Sequence, residues 1–188
     1  MKQFEFLAVF VSIILALGTS HTLSSAMRLI NRRGHVRMHA PTLIWLATLF
    51  LGQIFIWWLA FQRIETTQWT FFRFLLYLMV PTLVSVPGYL LVPEMELEFQ
   101  PDFDLEKNFN HNRKWFFAIL ATLGIAGYVE SAFSAGRILL HASNDLPLLL
   151  SVVSIAGFAT RTTRGQVLVA LAFLATLLGY IGFVFAAL

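Results

Sequence analysis

The chain has no cysteine and little charge. Without cysteine there are no disulfides, thiolate metal sites, thiol nucleophiles or covalent c-type haem attachment. Charged residues make up only 12% of the 188 positions. A soluble domain carries about 25%, so a soluble globular protein, a disordered chain and a nucleic-acid binder are all excluded. Lysine is scarce and sits at Lys2, Lys107 and Lys114, none inside an apolar run, which rules out a retinal Schiff base within a bundle. No Walker A, HExxH or GxSxG motif occurs, so no catalytic residue can be assigned and the chain reads as a non-enzyme. No S4-like arginine repeat and no TVGYG filter occur either. A bis-histidine haem needs two facing histidines, and only His21 lies deep in a span. No cofactor is expected.

What is present is apolar: 58% hydrophobic residues and a mean hydropathy of +0.75. Apolar blocks of about 18 or more residues read as membrane spans. The blocks predict an all-α transmembrane bundle of six spans, at about 4–30, 41–62, 69–92, 113–140, 145–160 and 166–187, forming a single domain. The first and fourth are over-long for a ~30 Å hydrocarbon core and the fifth is short, to be shielded by its neighbours. No internal repeat is evident. Nineteen Phe and five Trp suit lipid-facing and interfacial positions.

The N-terminus imitates a signal peptide, with Lys2, an apolar run and Ser24-Ser25-Ala26. Glu5 cancels Lys2, however, and the cluster Arg28, Arg32, Arg33, Arg37 follows the run, so an uncleaved first helix is expected. Loops 1, 3 and 5 carry that cluster together with Lys107, Arg113, Lys114, Arg161 and Arg164; the other side carries Lys2, Arg63, Arg73 and Arg137. The positive-inside rule then places both termini away from the cytoplasm, in a bacterial inner membrane.

Loop 3, residues 93–112, is acidic, with Glu94, Glu96, Glu98, Asp102, Asp104 and Glu106. It reads as a solvated loop on the cytoplasmic side. A sharper alternative pairs it with basic loop 1 on the same face. A third makes Asp102-Phe-Asp104-Leu-Glu106 a cation site, but the EF-hand glycine and distal Glu are missing. His35 and His39 have helical spacing but no third ligand, so no metal site is expected.

A charged group in hydrocarbon is costly and should face the bundle or a wet cavity. Gly127, Glu130, Ser134 and Arg137 share one face of the fourth span. Arg73 enters the third span from the outer side at a matching depth. The sequence therefore predicts an outer-leaflet ion pair between Glu130 and Arg73, with Arg137 as the alternative partner. Structural pinning, an ion or proton pathway and snorkelling are the three roles open to it. Gly18, His21, Ser24, Ser25 and Arg28 share a face of the first span. His21 serves there either as a packing residue or as a proton-sensitive or ligand-binding one. Gln53 sits at mid-depth of the second span with Trp57 on its face, in the manner of interhelical amide glue. Pro81 and Pro87, with Gly88 and Pro93 following, predict a broken third span.

Several clusters resemble a group of uncharacterised bacterial six-helix membrane proteins. They are Trp57-Trp58, Trp69-Thr-Phe-Phe, Pro93-Glu94, Arg113-Lys114-Trp115-Phe116-Phe117 and the basic turn Arg32-Arg33-Gly34-His35-Val36-Arg37. The resemblance implies six spans and a bacterial origin, and transfers no site. Two functional classes follow from the residues: a small channel or transporter for an ion, proton or small solute, and a scaffold or accessory subunit; a homo-oligomeric pore sits between them, and a lipid-modifying enzyme is third. The partners expected are the lipid bilayer and either further copies of the chain or a larger membrane complex.

Overall fold

The structure is a computed structural model and describes residues 3–61, 70–93, 103–135 and 142–186. Long apolar runs form the helices α1 (Gln3–Asn31), α2 (Ala40–Phe61), α3 (Phe71–Ser85), α5 (Leu105–Ala135), α6 (Ala142–Ala159) and α7 (Thr163–Ala186), with a short α4 (Pro87–Leu91) after α3. Thr70 caps α3 by accepting the Arg73 N–H at 3.3 Å. Thr162 caps α7 by accepting the Gly165 N–H at 3.2 Å. The third span breaks as its prolines predict, but only once: the helix runs through Pro81 and is interrupted at Val86, before Pro87.

The chain is thus an all-α helical bundle and a membrane protein. Among the described residues, five helical stretches are long and apolar enough to cross a bilayer: Leu7–Asn31, Ala40–Ala60, Phe71–Leu91, Leu105–Phe133 and Thr163–Phe183. The expected fifth span is a helix, but its apolar part, Pro147–Ala159, covers only roughly 20 Å at about 1.5 Å per residue. It runs antiparallel along α5: Gly124 faces Pro147 and Ser151, Gly157 faces Phe117, and Arg113 reaches Thr160.

Packing order differs from chain order. Contacts close a ring α1–α3–α5–α6–α7–α2, with α2 also touching α3, α4 and α5. Trp45 of α2 is fully buried among Phe116, Phe117 and Phe173, with ring centroids 5.0, 5.7 and 5.0 Å away. The lipid-facing expectation for aromatics fits Trp57, Trp58 and Trp115, which are exposed, and fails for Trp45, Phe109, Phe116 and Phe117, which form the core.

Loop 3 needs correction. Helix α5 begins at Leu105 rather than 113, so residues 105–112 of the expected loop are helix. Leu105, Phe109, Phe116 and Leu120 recur at helical spacing and are all buried. The preceding residues carry out the sharper expectation: β1 (Val36–Arg37) pairs in parallel with β2 (Phe103–Asp104), tying loop 1 to loop 3. Arg37 lies 3.3 Å from Asp104 and 3.8 Å from Glu106. Residues 94–102, including Asp102 and three of the loop's glutamates, lie outside the described residues.

Asp104 has a second task as the cap of α5, accepting the Glu106 N–H at 2.9 Å and the Lys107 N–H at 3.1 Å. The Lys107 N–H does most to hold its carboxyl below the usual carboxylate range. Burial works the other way, and the Glu106 N–H, Arg37 and the Lys107 charge add to the lowering. His39 is buried beside them, bonded through Nδ1 to Thr42 at 2.9 Å. Burial lowers its pKa, against the raising effect of Glu106 and Asp104. Both shifts make acid destabilising. Asp104 contributes stability above the ordinary carboxylate range that is lost as pH falls through its lower folded value. The unfolded chain protonates His39 first, so stability falls from the ordinary histidine value of about 6.5 downward. We expect Asp104→Ala to cost about 1 kcal/mol as a lost cap. We expect His39→Gln to flatten the decline in melting temperature just below pH 6.5. Melting in detergent as a function of pH checks both.

Candidate intramembrane cavity and polar cluster

Two features occupy the bundle interior, one above the other. The terminal end, where α1 starts and α7 finishes, holds a partly open cavity of about 450 Å³. All six long helices contribute to its wall, from Val11 of α1 to Tyr180 of α7. Small residues make the room: Gly52 of α2 and Gly124 and Gly127 of α5 line it, as does Pro81. The wall is chiefly apolar. Its polar groups are Thr48, Tyr77, Ser131, Tyr180 and the carboxylate of Glu130.

Glu130, singled out from the sequence, lines this cavity and is half-buried. Arg73 lies in the first turn of α3, which packs on α5. Phe72, next to Arg73, and Phe133, one turn from Glu130, meet at 6.4 Å. Arg73 is likewise half-buried, and both Arg73 and Glu130 have interaction partners. Arg137 and the Ser134 side chain lie outside the described part of the structure.

The second feature lies on the loop-end side of the cavity, at the α3/α4 break. His21 is buried, stacked on Tyr89 of α4 at 3.7 Å and 18°, with its Nε2 3.3 Å from Ser25 Oγ. Thr22 donates to the Gly18 carbonyl at 2.9 Å and accepts from Gln53 Nε2 at 3.4 Å. Ser85 donates to the Pro81 carbonyl at 2.8 Å. Gly18 permits this convergence, since a Cβ there would collide with Ser85 Oγ and sit 3.1 Å from Gln53 Nε2. So the structure joins His21 and Gln53, which the sequence named separately, while Ser24 stays half-buried at the edge. Sequence reasoning missed Thr22, Ser85 and Tyr89. The Gly18–Thr22 spacing of one turn carried a faint signal; the contacts to α4 carried none.

At the loop end, polar groups hold helix ends. Asn108 Nδ2 donates to the Leu90 and Leu91 carbonyls at 3.1 and 2.8 Å, and Asn112 Nδ2 to that of Leu90 at 3.2 Å. Arg113 was expected as an exposed topogenic charge. It is buried, and with Gln166 it donates to the Thr160 carbonyl beyond α6, where a cation also offsets the helix dipole. Thr163 donates to Glu106 at 3.0 Å. His35 is exposed while His39 is committed to Thr42, so the two do not form a ligand pair.

Comparison with known protein families, curated proteins and solved structures finds no match for this chain. The class is therefore set by the fold alone: a helical membrane protein, with Glu130 on the wall of a partly open cavity.

Proposed function

We propose that the protein is a small channel or transporter for an ion, proton or small solute, acting without catalysis in a bacterial inner membrane with both termini on the non-cytoplasmic side. One observation carries the reading: the cavity of about 450 Å³ reaches Glu130 from among all six long helices. Intramembrane ionisable residues that face cavities are characteristic of ion and proton pathways, and the volume is in the range that holds small ligands. An ion pair of Glu130 with Arg73 would set the affinity of such a site, and the pathway would open by separating them. The broken α3/α4 span beside the cavity supplies an element able to move, as discontinuous helices do in transporters.

The test is flux of ions and protons in liposomes holding the purified protein. We expect Glu130→Gln to change the flux at least tenfold at unchanged melting temperature. A folded, oriented protein that passes nothing across roughly pH 5–8 would overturn the proposal.

A second reading, an accessory subunit or a homo-oligomer, is favoured by α7. Gly179 and Gly182 are exposed and meet nothing within 4 Å, so a small-residue surface of α7 is unused within the chain. Small residues let membrane helices approach closely. Cross-linking through cysteines introduced at 179 and 182 distinguishes a self-associating chain from a monomer.

A further inference from the structure

We infer that the cluster around His21 is the inner half of a proton pathway, in which water held at Gln53 links the cavity to the imidazole. The inference rests on the transport reading and names the proton as the species moved.

Hydrogen-bonding groups are out of balance around Gln53. Gln53 is 1% exposed, and no protein donor reaches its Oε1. Turning the amide over does not help. The Thr22 hydroxyl gives its hydrogen to the Gly18 carbonyl, so a flipped amide would set oxygen against oxygen. The Ser85 hydroxyl likewise gives its hydrogen to Pro81. The cluster is therefore rich in acceptors and short of donors. Such a surplus is ordinarily met by a buried water making about three hydrogen bonds. Gly88 brings α4 close against this cluster: a Cβ there would lie in van der Waals contact, 3.4 Å from both His21 Cδ2 and Thr22 Oγ1.

Position supplies the second part. Gly52 and Val84 line the cavity, and the next residues in each helix, Gln53 and Ser85, belong to the cluster. On the other side Ser25 and then Arg28 lead along α1 to the loop end, where α1 stops at Asn31. The cluster thus adjoins the cavity wall at Gly52 and Val84 and continues through His21 to Ser25. Around His21, α2 and α3 present the neutral Gln53 and Ser85, α4 presents Tyr89, and α1 itself adds Arg28 one turn beyond Ser25. His21 is accordingly the base of the thread. It takes a proton at one ring nitrogen and releases one from the other, and the tautomers re-equilibrate between passages, so protons and charge balance with no co-reactant.

The experiment is proton uptake into proteoliposomes carrying a trapped pH dye, under a potassium–valinomycin clamp, for wild type, His21→Asn, Gln53→Met and Glu130→Gln. We expect proton flux to fall at least tenfold in His21→Asn and Gln53→Met. Gln53→Met should melt no lower than wild type, because it removes the orphaned acceptor with little change of volume. Should Gln53→Met fail to fold, Ser25→Ala takes its place, with a flux loss in the same direction. Wild-type proton flux that neither the His21 variant nor the cluster variant alters overturns the inference; if Glu130→Gln still lowers it, the cavity reading stands. A wild type that passes another ion but no protons also overturns only the inference. A folded wild type that passes nothing overturns both.

Discussion

Gly124→Val unseats α6 from α5. A Cβ at 124 would collide with Ser151 Oγ and with the Pro147 carbonyl oxygen, and would come within 2.9 Å of the Ser151 nitrogen. Two of these three atoms are backbone, so no rotamer change relieves the contact. The helices must separate, which breaks the Ser151 hydrogen bond to the Ala121 carbonyl at 2.8 Å. Overpacking of this kind costs about 3 kcal/mol. It falls on the shortest apolar helix, whose place in the bundle depends on close contact with α5. Gly179→Ala is the matched control. Nothing lies within 4 Å of that site, and alanine should stabilise the helix by about 0.5–1 kcal/mol. Reversible unfolding in mixed micelles measures both. Equal stability of Gly124→Val and wild type would mean that α5 and α6 are not packed as described.

Trp45→Ala is the second large effect, with an expected loss of about 3–5 kcal/mol. The indole is 0% exposed, and its edge-to-face partners Phe116, Phe117 and Phe173 come from two other helices. Removing it leaves a void bordered by α5 and α7 that lipid cannot enter. In a bilayer this packing, rather than escape from water, is what holds helices together. Trp45→Phe should cost less than half as much. The indole N–H has no acceptor, so its loss removes a buried orphan along with the smaller ring. If alanine and phenylalanine cost the same, the aromatic cluster is not the centre of the loop-end core.

The sequence was informative where a one-dimensional pattern decides the outcome. Apolar run length set the class and the helices, because a bilayer admits only elements that satisfy their own backbone. Pro87 announced the interruption at Val86, since proline withholds a donor from the helical ladder, although Val86 itself keeps helical backbone angles. Glu130 was legible for the same reason: one carboxylate in an apolar run must face inward. Loop 3 was misjudged because its charges masked a helical spacing. Leu105, Phe109 and Phe116 carry that spacing, and Asp104 caps it.

The sequence by itself determined that this chain lives in a membrane as helices, and it marked Glu130, His21 and Gln53 as the polar groups that need an explanation. Only the tertiary structure decided which helices are neighbours. The ring closes through α3–α5 and α2–α7, contacts between segments far apart in the chain that no local spacing encodes. That closure leaves a cavity at the terminal end, sets Glu130 on its wall, and brings Gln53 and Ser85 onto the face of α1 that carries His21. It also turned Trp45 and Arg113 inward, although tryptophan and arginine near a span end ordinarily face the interface. Whether such a residue anchors at the surface or fills a core depends on what the opposing helix offers, and that is a property of the packed bundle.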